Sequence, residues 1–238
     1  MGNEKNPFVI DRWPTGKNLV AFTYDDEPDR SITESILKIF AGRGAATFFI
    51  TAWAFARDTD NNSSICKDLL EAGMEIGNHS TTHRALPNLT DDEIYAELML
   101  PHNMVSSLGG QMSTLRFPGL HRDDATVDRI RRNVFTKAPL NEYRMIDITI
   151  ESADSGGLKA REMYEKVIHR KWYYEADTPN DPEKPGAFDG AIILLHDGRG
   201  PYGPRAETPE GSRLLIDWFL THGYELVTVS QMLSYPRI

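Results

Sequence analysis

Two histidines four positions apart, His79 and His83, are the side chains in this sequence best suited to hold a metal ion. Imidazole is a common zinc ligand, and this spacing can bring both rings to one side of the chain. A catalytic zinc site also needs a third protein ligand and an open position, and Asp25-Asp26 offers a candidate for that ligand. Taken alone, the histidines could be a surface pair, and the aspartates could cap a strand-to-helix turn.

Both polar groups adjoin apolar runs that predict buried strands. The run Leu19–Tyr24 leads into the two aspartates, and the run Met74–Gly77 leads into Asn78 and His79. In α/β folds, the residues that carry chemistry lie at the carboxyl ends of parallel strands. Because neighbouring side chains on an extended backbone point in different directions, one aspartate could bind a metal while the other acts as a base.

Three further polar residues follow predicted strands later in the chain. Arg116 lies in Leu115-Arg-Phe-Pro-Gly119, and an arginine at a strand end can hold a carboxylate with two hydrogen bonds. Asp154 follows a run of alternating apolar residues, where it could instead cap a helix. His196 leaves the apolar run Ala191–Leu195 and is suited to acid–base chemistry near neutral pH. Each of the three also has a purely structural interpretation, as a turn, a cap or a core residue.

The elements that must position these residues alternate between apolar runs and amphipathic segments. Ser31-Ile-Thr-Glu34 and Thr90-Asp-Asp-Glu93 predict helix starts as capping boxes, and Thr208-Pro209 predicts another. The Gly- and Pro-rich stretch Gly198–Glu207, directly after His196, could shape a substrate groove or serve only as a connection. Alternating strands and helices indicate a parallel sheet, and about seven strands in one α/β domain predict a closed or nearly closed barrel. The predicted strands are Leu19–Tyr24, Ala46–Ile50, Met74–Gly77, Leu115–Phe117, Arg144–Ile150, Ala191–Leu195 and Glu225–Val229.

Composition narrows the class of function. The chain has 238 residues, with 26 Lys or Arg and 35 Asp or Glu, and a formal net charge of −9. This balance argues against a nucleic-acid-binding surface, which would be basic. No apolar run approaches the length of a membrane span, and Met1-Gly-Asn-Glu-Lys5 lacks the pattern of a signal peptide. Cys66 is the single cysteine, so no intrachain disulfide can form, and we expect a structural thiol.

Taken in this order, the clusters resemble the motifs of the polysaccharide deacetylases, a carbohydrate esterase family that includes chitin and peptidoglycan deacetylases and some acetylxylan esterases. The family pattern Thr-Phe-Asp-Asp-Gly-Pro is similar to Thr23-Tyr-Asp-Asp-Glu-Pro28, and His-Ser/Thr-x-x-His is matched from His79 to His83. Arg-x-Pro is present at Arg116–Pro118 and Leu-x-His at Leu194–His196. The aspartate of the fourth motif maps to Asp154.

The resemblance implies a distorted (β/α) barrel as one catalytic domain over residues 19–238, with residues 1–18 as an N-terminal extension. It implies a divalent metal, zinc in the first place and cobalt or nickel as alternatives, that activates the acetyl carbonyl and a water. The metal ligands would be Asp26, His79 and His83. The catalytic residues would be Asp25 as base, Arg116 as its support, His196 as acid and Asp154 as the partner of His196. The substrate-binding residues would be Tyr24, Phe117, Pro118, Gly119 and Leu194, with a backbone N–H near Gly119 stabilising the oxyanion.

By this resemblance we expect a metal-dependent hydrolase that releases acetate from an N-acetylglucosamine-containing polymer or oligomer of the chitin or peptidoglycan type. Such a protein would act outside the cell or in the cell wall, exported by a leader that this sequence does not include. Three positions depart from the family pattern: Glu27 replaces a glycine, Gly119 an aromatic residue and Ser155 a tryptophan. The departures leave two alternatives, a catalytically impaired carbohydrate-binding or cell-wall structural protein, and an esterase for O-acetyl groups.

Overall fold

Strands and helices alternate along most of the chain, as the sequence pattern predicts. The structure is a computed structural model that describes residues 6–26, 28–53, 59–169, 181–182, 184–200 and 203–238, so that Glu27 lies outside it. The strands are β1 (Val9–Ile10), β2 (Leu19–Asp26), β3 (Thr47–Ile50), β4 (Glu75–Asn78), β5 (Thr114–Leu115), β6 (Arg144–Ile146), β7 (Ile150–Glu151), β8 (Ala191–His196), β9 (Arg199–Gly200), β10 (Gly203–Pro204) and β11 (Glu225–Leu226). The helices are α1 (Arg30–Phe40), α2 (Thr59–Glu71), α3 (Asp91–Ser107), α4 (Asp124–Arg129), α5 (Ala160–His169), α6 (Thr208–Thr221) and α7 (Val229–Leu233). None of the helices in these segments combines the length and the apolarity that crossing a bilayer requires.

The main sheet is parallel and curls into a distorted barrel. Over the described residues it has nine strands in the order β1-β6-β5-β4-β3-β2-β8-β7, with β11 also paired to β2. The stretch from β6 to β7 pairs with β5 at its start and with β8 at its end. The sheet therefore bends back towards itself around that stretch, and the predicted single-domain barrel fold is confirmed. A separate antiparallel pair, β9 and β10, follows β8.

An apolar core between sheet and helices fixes the central strand β2. All residues from Leu19 to Tyr24 are buried, as expected for a parallel strand that is covered on both faces. Phe22 and Tyr24 pack edge-on against Phe40 of α1. Burying one such side chain stabilises the fold by roughly 1.5–3 kcal/mol. This packing anchors the strand immediately before Asp25.

One predicted strand is divided in the structure. The run Arg144–Ile150 forms β6 and only the first residue of β7, with a break between them. The backbone changes partner at this break, because Asp147 N donates to Ile10 O whereas Thr149 N donates to Ile192 O. The apolar run therefore predicted the position of the segment, but it did not predict that the backbone changes its pairing partner within the segment.

Two of the three predicted helix starts are confirmed. Thr90 caps α3 with the predicted capping box, and α6 begins at Thr208. The prediction that Ser31 caps α1 is wrong, because Asp29 is the cap and accepts a hydrogen bond from Ser31 N at 3.1 Å. Asp and Ser are both good caps, and local pattern alone could not choose between two candidates two residues apart.

Part of the predicted N-terminal extension packs against the barrel. Strand β1 pairs with β6. The carboxylate of Asp189 accepts hydrogen bonds from the N–H groups of Thr15, Gly16 and Leu19, at 2.6 to 3.1 Å. The segment leading into β2 is thereby held in place by the buried side chain of Asp189, while a domain boundary at residue 18 stays a prediction.

Candidate active site

A cavity of about 290 Å³ opens at the carboxyl ends of β2, β4 and β8. This is the edge of a parallel sheet at which α/β proteins bind ligands. Of the predicted site residues, those that line the cavity are Asp25, Asp26, His79, His83, Gly119, Leu194 and His196.

The two neighbouring aspartates converge on one histidine. The Nε2 atom of His79 lies 3.7 Å from Asp25 Oδ2 and 3.7 Å from Asp26 Oδ1. Successive side chains of a regular strand point to opposite faces, but Asp26 has a φ of 87°. This backbone conformation is uncommon for a residue with a side chain, and it brings the second carboxylate round to the first. The expectation that the two carboxylates point apart is therefore wrong.

Asp26, His79 and His83 form a cluster that could hold a metal ion. Their ligand atoms all lie within 4.8 Å of one another, and His83 Nε2 is 3.2 Å from Asp26 Oδ1. His79 Nδ1 lies 3.0 Å from the carbonyl oxygen of Arg116. That contact assigns the ring proton to Nδ1 and leaves the Nε2 lone pair facing the carboxylates. One oxygen and two nitrogen donors fit a divalent transition metal in a site with an open position.

The ionisation of His79 and Asp26 suits metal binding, whereas the hydrogen bond to Asp26 raises the pKa of His83, so a metal would have to displace the proton of that ring. Burial lowers the pKa of His79, so the buried ring is neutral near pH 7. Burial opposes the ionised form of Asp26, but its hydrogen bond to His83 and the nearby imidazoles hold the pKa of that carboxyl well below its usual range. A neutral imidazole and an ionised carboxylate are the forms that coordinate metals.

The two histidines lie on a loop, and the backbone of this loop is unusual. Ser80 and His83 have φ values of 69° and 58°. The side chain of Asn78, the last residue of β4, accepts a hydrogen bond from Ser80 N at 2.9 Å and donates to Leu98 O at 2.8 Å. The rings therefore meet because a turn is held in place by the strand and by α3.

Glu97 of α3 supports the same loop and is absent from the predicted site residues. It is buried, and one of its carboxylate oxygens accepts hydrogen bonds from Thr81 N at 2.9 Å and Thr82 N at 2.8 Å. A signal was available in the sequence, because a carboxylate between Ile94 and Leu98 falls on the apolar face of the predicted helix. A charged residue in that position needs partners in the folded protein.

Arg116 holds the first aspartate. It is fully buried, and its Nη1 donates to Asp25 Oδ1 at 2.8 Å and to Thr23 Oγ1 at 2.6 Å. Its Nη2 donates to Asp147 O at 3.2 Å, and the guanidinium lies 4.2 Å from the centroid of the Phe49 ring. Breaking a buried ion pair by removing one partner costs about 3–5 kcal/mol. Arg116 therefore fixes one oxygen of Asp25 and directs the other to the cavity.

His196 is paired directly with Asp25 in the register of β8 and β2. Its Nδ1 lies 2.8 Å from Asp154 Oδ1, and Asp154 Oδ2 accepts from His196 N and Thr208 Oγ1, each at 2.8 Å. Burial disfavours the imidazolium, but the hydrogen bond and charge of Asp154 raise the pKa of His196. Burial likewise disfavours the carboxylate, but the hydrogen bond from His196 lowers the pKa of Asp154. Because Nδ1 is engaged, Nε2 is the ring atom available to the cavity.

Three of the predicted substrate-binding residues lie behind the cavity wall. Tyr24, Phe117 and Pro118 are buried, and none of them lines the cavity. Tyr24 alternates with Asp25 along β2 and so faces the helices, where its hydroxyl is 2.9 Å from Ser212 Oγ. The prediction that these three side chains line the substrate pocket is therefore corrected.

Gly119 and Ser155 form part of the wall and are the two departures from the family pattern that the structure describes. Gly119 has a φ of 59°, and a Cβ placed there would lie 3.1 Å from His121 Nδ1. Ser155 N donates to Asp154 Oδ1 at 2.9 Å. Both residues are small, so the wall is thinner than the family pattern implies. The oxyanion role of a backbone N–H near Gly119 stays a prediction.

Arg205 also lines the cavity and is absent from the predicted site residues. Its Nη1 donates to Asp26 Oδ2 at 2.9 Å, and its side chain is 9% exposed. Arg205 follows the short hairpin of β9 and β10, in the stretch Gly198–Glu207 that could shape a groove or only connect elements. Through Arg205 this stretch contributes to the cavity wall, while its role in shaping a substrate groove stays a prediction. The available signal was an arginine in a Gly-rich loop directly after a central strand.

Asp197 follows His196 but faces the interior. It is buried, and its Oδ2 accepts a hydrogen bond from Thr33 Oγ1 at 2.7 Å. Burial raises the pKa of Asp197 to about 7. The side chains of these two adjacent residues therefore lie in different environments, with His196 at the cavity and Asp197 in the core.

Comparison with known proteins decides the family. The sequence matches the polysaccharide deacetylase family over residues 12–138, more than half of its length. The chain belongs to the polysaccharide deacetylase family. This agrees with the resemblance that the motifs alone predict.

Relatives of this chain include a peptidoglycan-N-acetylglucosamine deacetylase and a chitin deacetylase. It is 25% identical to a peptidoglycan-N-acetylglucosamine deacetylase of Bacillus cereus, over 98% of this chain and 97% of that protein. It is 30% identical to a chitin deacetylase of Arthroderma benhamiae, over 94% of this chain and 54% of that protein.

Solved structures share the fold of this family member. The Bc1960 peptidoglycan N-acetylglucosamine deacetylase superimposes with a TM-score of 0.76 at 20% identity, covering 96% of this chain and 94% of that one. A CE4 family pseudoenzyme from Bacillus anthracis superimposes with a TM-score of 0.75 at 20% identity, covering 98% and 72%. Because one fold carries both an enzyme and a pseudoenzyme, the activity of this member must be argued from its site.

Proposed function

We propose that this protein removes acetyl groups from N-acetylglucosamine units of a polysaccharide by metal-dependent hydrolysis. One observation carries the proposal: Asp25 and His196 are register partners on adjacent strands, beside a cluster of metal-type ligands. Membership of the family supports a hydrolase of acetylated polysaccharides. Similarity to a peptidoglycan deacetylase and a chitin deacetylase supports N-acetylglucosamine as the sugar.

The ligands of the metal would be Asp26, His79 and His83, and we propose zinc as the ion. Two imidazole nitrogens, one carboxylate oxygen and an open position suit zinc, and cobalt or nickel would find the same donors. When bound, such an ion supplies Lewis-acid activation of the acetyl carbonyl and makes water more acidic.

Asp25 would be the general base. Arg116 occupies Oδ1, so Oδ2 is the oxygen that can take a proton from the attacking water. The buried guanidinium holds the carboxylate in one orientation, which is what a base with a single working position requires. The water oxygen would form the new bond to the acetyl carbon.

His196 would be the general acid. The C–N bond breaks readily only when the nitrogen gains a proton, since a free amide anion is a poor leaving group. Asp154 engages Nδ1 and favours the imidazolium, so Nε2 carries the proton that the departing sugar amine takes up. The products would be acetate and a glucosamine unit, and the cycle would close when Asp25 releases the proton taken from water and His196 regains one through solvent.

The substrate would meet a wall formed by Gly119, Leu194 and Ser155. The acetyl methyl group needs an apolar contact, which Leu194 would provide. The small residues on the other two sides would leave room beyond the methyl group. We propose that the polymer is of the peptidoglycan or chitin type and that the protein acts outside the cell or in the cell wall.

The test is acetate release by zinc-loaded protein from N-acetylglucosamine oligomers. The variant Asp25→Asn keeps the size of the side chain and all three proposed ligands, and we expect it to bind zinc while acetate release disappears. The control is Asp128→Asn, which changes a half-buried aspartate whose ion pairs among the described residues are with Arg131 at 3.6 Å and Arg132 at 3.2 Å. It should behave as wild type.

Other results would redirect the proposal. Equal acetate release by Asp25→Asn and wild type would contradict the role of Asp25. Turnover of acetylated xylan or aryl acetates without turnover of N-acetylglucosamine oligomers would establish the O-acetyl esterase instead. Stoichiometric zinc without release from any acetylated glycan would favour the binding or structural protein.

A further inference from the structure

Arg205 and Asp26 form an ion pair that mirrors the pair of Arg116 and Asp25. In each pair, one Nη1 donates to one carboxylate oxygen, at 2.8 Å for Asp25 and 2.9 Å for Asp26. In each pair, the other carboxylate oxygen lies 3.7 Å from His79 Nε2. Two adjacent carboxylates are thus each held by an arginine on the side away from the histidines.

We propose that Arg205 is a positioning residue that restricts Asp26 to a single metal-binding oxygen. The proposal rests on the proposed metal-dependent function. A carboxylate with two free oxygens can bind a cation through both, as those of calcium sites often do. With Oδ2 occupied by Arg205, only Oδ1 faces His83 and His79. Asp26 would then leave the remaining coordination positions to water and substrate.

The burial of Arg205 supports this role. Its side chain is 9% exposed, and its buried Nε has no hydrogen-bond partner among the residues that the structure describes. Burying a guanidinium with an unpaired N–H costs free energy. The contact with Asp26 is its only ion pair among the described residues. The contact is therefore what holds the side chain at the cavity rather than in solvent.

The surrounding charges give the role a testable direction. A positive group close to a metal site repels the cation, so loss of charge alone would tighten metal binding. Loss of a hydrogen bond that orients a ligand typically weakens metal binding by 10–100-fold. The two effects have opposite signs, and our proposal requires the second to be the larger.

The experiment measures zinc affinity by competition with a chromophoric chelator and records the visible absorption spectrum of the cobalt-loaded protein. We expect Arg205→Gln to bind zinc about 10-fold more weakly or worse and to give a weaker cobalt spectrum, as a higher coordination number does. Arg205→Lys keeps the charge and one donor, and it should lie between wild type and Arg205→Gln. The control Arg213→Gln removes an arginine that pairs with Glu210 and Asp217 on the exposed side of α6, and it should match wild type.

Metal-free thermal unfolding of each variant separates a folding defect from a binding defect. The proposal stands if the metal-free midpoints agree within a few degrees while zinc affinity and the cobalt spectrum change. Unchanged or tighter zinc binding by Arg205→Gln, with the wild-type cobalt spectrum, would overturn the role of Arg205 and leave the proposed function intact. Wild-type protein that binds neither zinc nor cobalt would overturn the proposed function, and the role of Arg205 with it.

Discussion

Different kinds of backbone structure position the side chains on the two sides of the cavity. On one side, Asp25 and His196 lie on β2 and β8 and are held through the sheet register and two buried charged partners. On the other side, His79 and His83 belong to a turn with left-handed residues that Asn78 and Glu97 hold by hydrogen bonds. Strand positions are rigid by packing, whereas the turn depends on a few polar contacts. We call Asp25 and His196 the strand half of the site, and His79 and His83 the turn half. The comparison predicts that the strand half governs the rate and that the turn half governs metal affinity.

After the loss expected for Asp25→Asn, the largest effect should come from Asp154 in the strand half. Asp154→Asn removes the charge that raises the pKa of His196, and general acid catalysis is typically worth 10²–10⁴-fold, so we expect kcat to fall by about that factor. The acid must be protonated, so activity is lost as pH rises through the pKa of His196. In the variant this alkaline limb should move to lower pH. A pH–rate profile measures both effects, and an unshifted limb would argue against His196 as the acid.

A smaller effect should follow from Glu97 in the turn half. Glu97→Gln keeps one acceptor oxygen but loses the negative charge that strengthens the hydrogen bonds from the N–H groups of Thr81 and Thr82. We expect zinc affinity to fall by about 10-fold, with kcat of the zinc-saturated protein within about twofold of wild type. Isothermal titration and saturated turnover separate the two quantities, with exposed Glu142→Gln as control. A large loss of kcat at saturating zinc would show that the two halves are not separable.

Asp197, next to His196, predicts how the free energy of unfolding depends on pH. Its folded pKa of about 7 lies above the usual value of about 3.9. Between these values the native state holds a proton that the unfolded chain has released, so the wild type loses stability as pH rises through this window. Asp197→Asn lacks this penalty and should gain on wild type by on the order of 1–3 kcal/mol between pH 4 and pH 8.

Urea denaturation at several pH values measures that difference. A constant difference between the two proteins across the window would show that Asp197 titrates normally. The hydrogen bond from Thr33 should persist in the variant, because an asparagine oxygen accepts it as well.

The smallest effect should come from the wall that both halves share. Gly119→Ala places a Cβ 3.1 Å from His121 Nδ1 at a φ of 59°, and we expect a loss of about 1 kcal/mol in stability. Gly156→Ala is the matched control, since a Cβ there meets nothing within 4 Å. Equal unfolding midpoints for the two variants would mean that the backbone at Gly119 adapts without strain.

The same division explains what the sequence could predict. The strand half was predictable because a buried parallel strand is an unbroken apolar run, and the polar residue at its end is conspicuous. His196 and Asp25 stand out in this way. Arg205 stands out less, because its signal is no more than a position in a Gly-rich loop after β8, and the sequence does not predict the pairing of β9 with β10 that precedes it. The positive φ of Asp26 could not be predicted either, because two adjacent aspartates after an apolar run are expected to continue the extended strand.

Tyr24 shows the complementary error. Its place in the motif suggested contact with substrate, yet the alternation of side chains along β2 sends it into the core. A motif shows that a residue is close to the site along the sequence. The face of the strand on which the residue lies decides whether its side chain reaches the site. Phe117 and Pro118, also in a motif, lie behind the wall in the same way.

The register between β2 and β8 sets a length scale for the proposed reaction. Asp25 and His196 are direct partners across neighbouring parallel strands, so the backbone distance between proposed base and acid equals the strand repeat, about 4.8 Å. Peptide hydrogen bonding fixes this repeat in every sheet, whatever the loops contain. Loops around the cavity can therefore lengthen, shorten or change composition to admit another polymer without altering the reach of the proton-transfer pair. Only a one-residue slip of β8 would change it, and the same slip would turn His196 to the opposite face of the sheet.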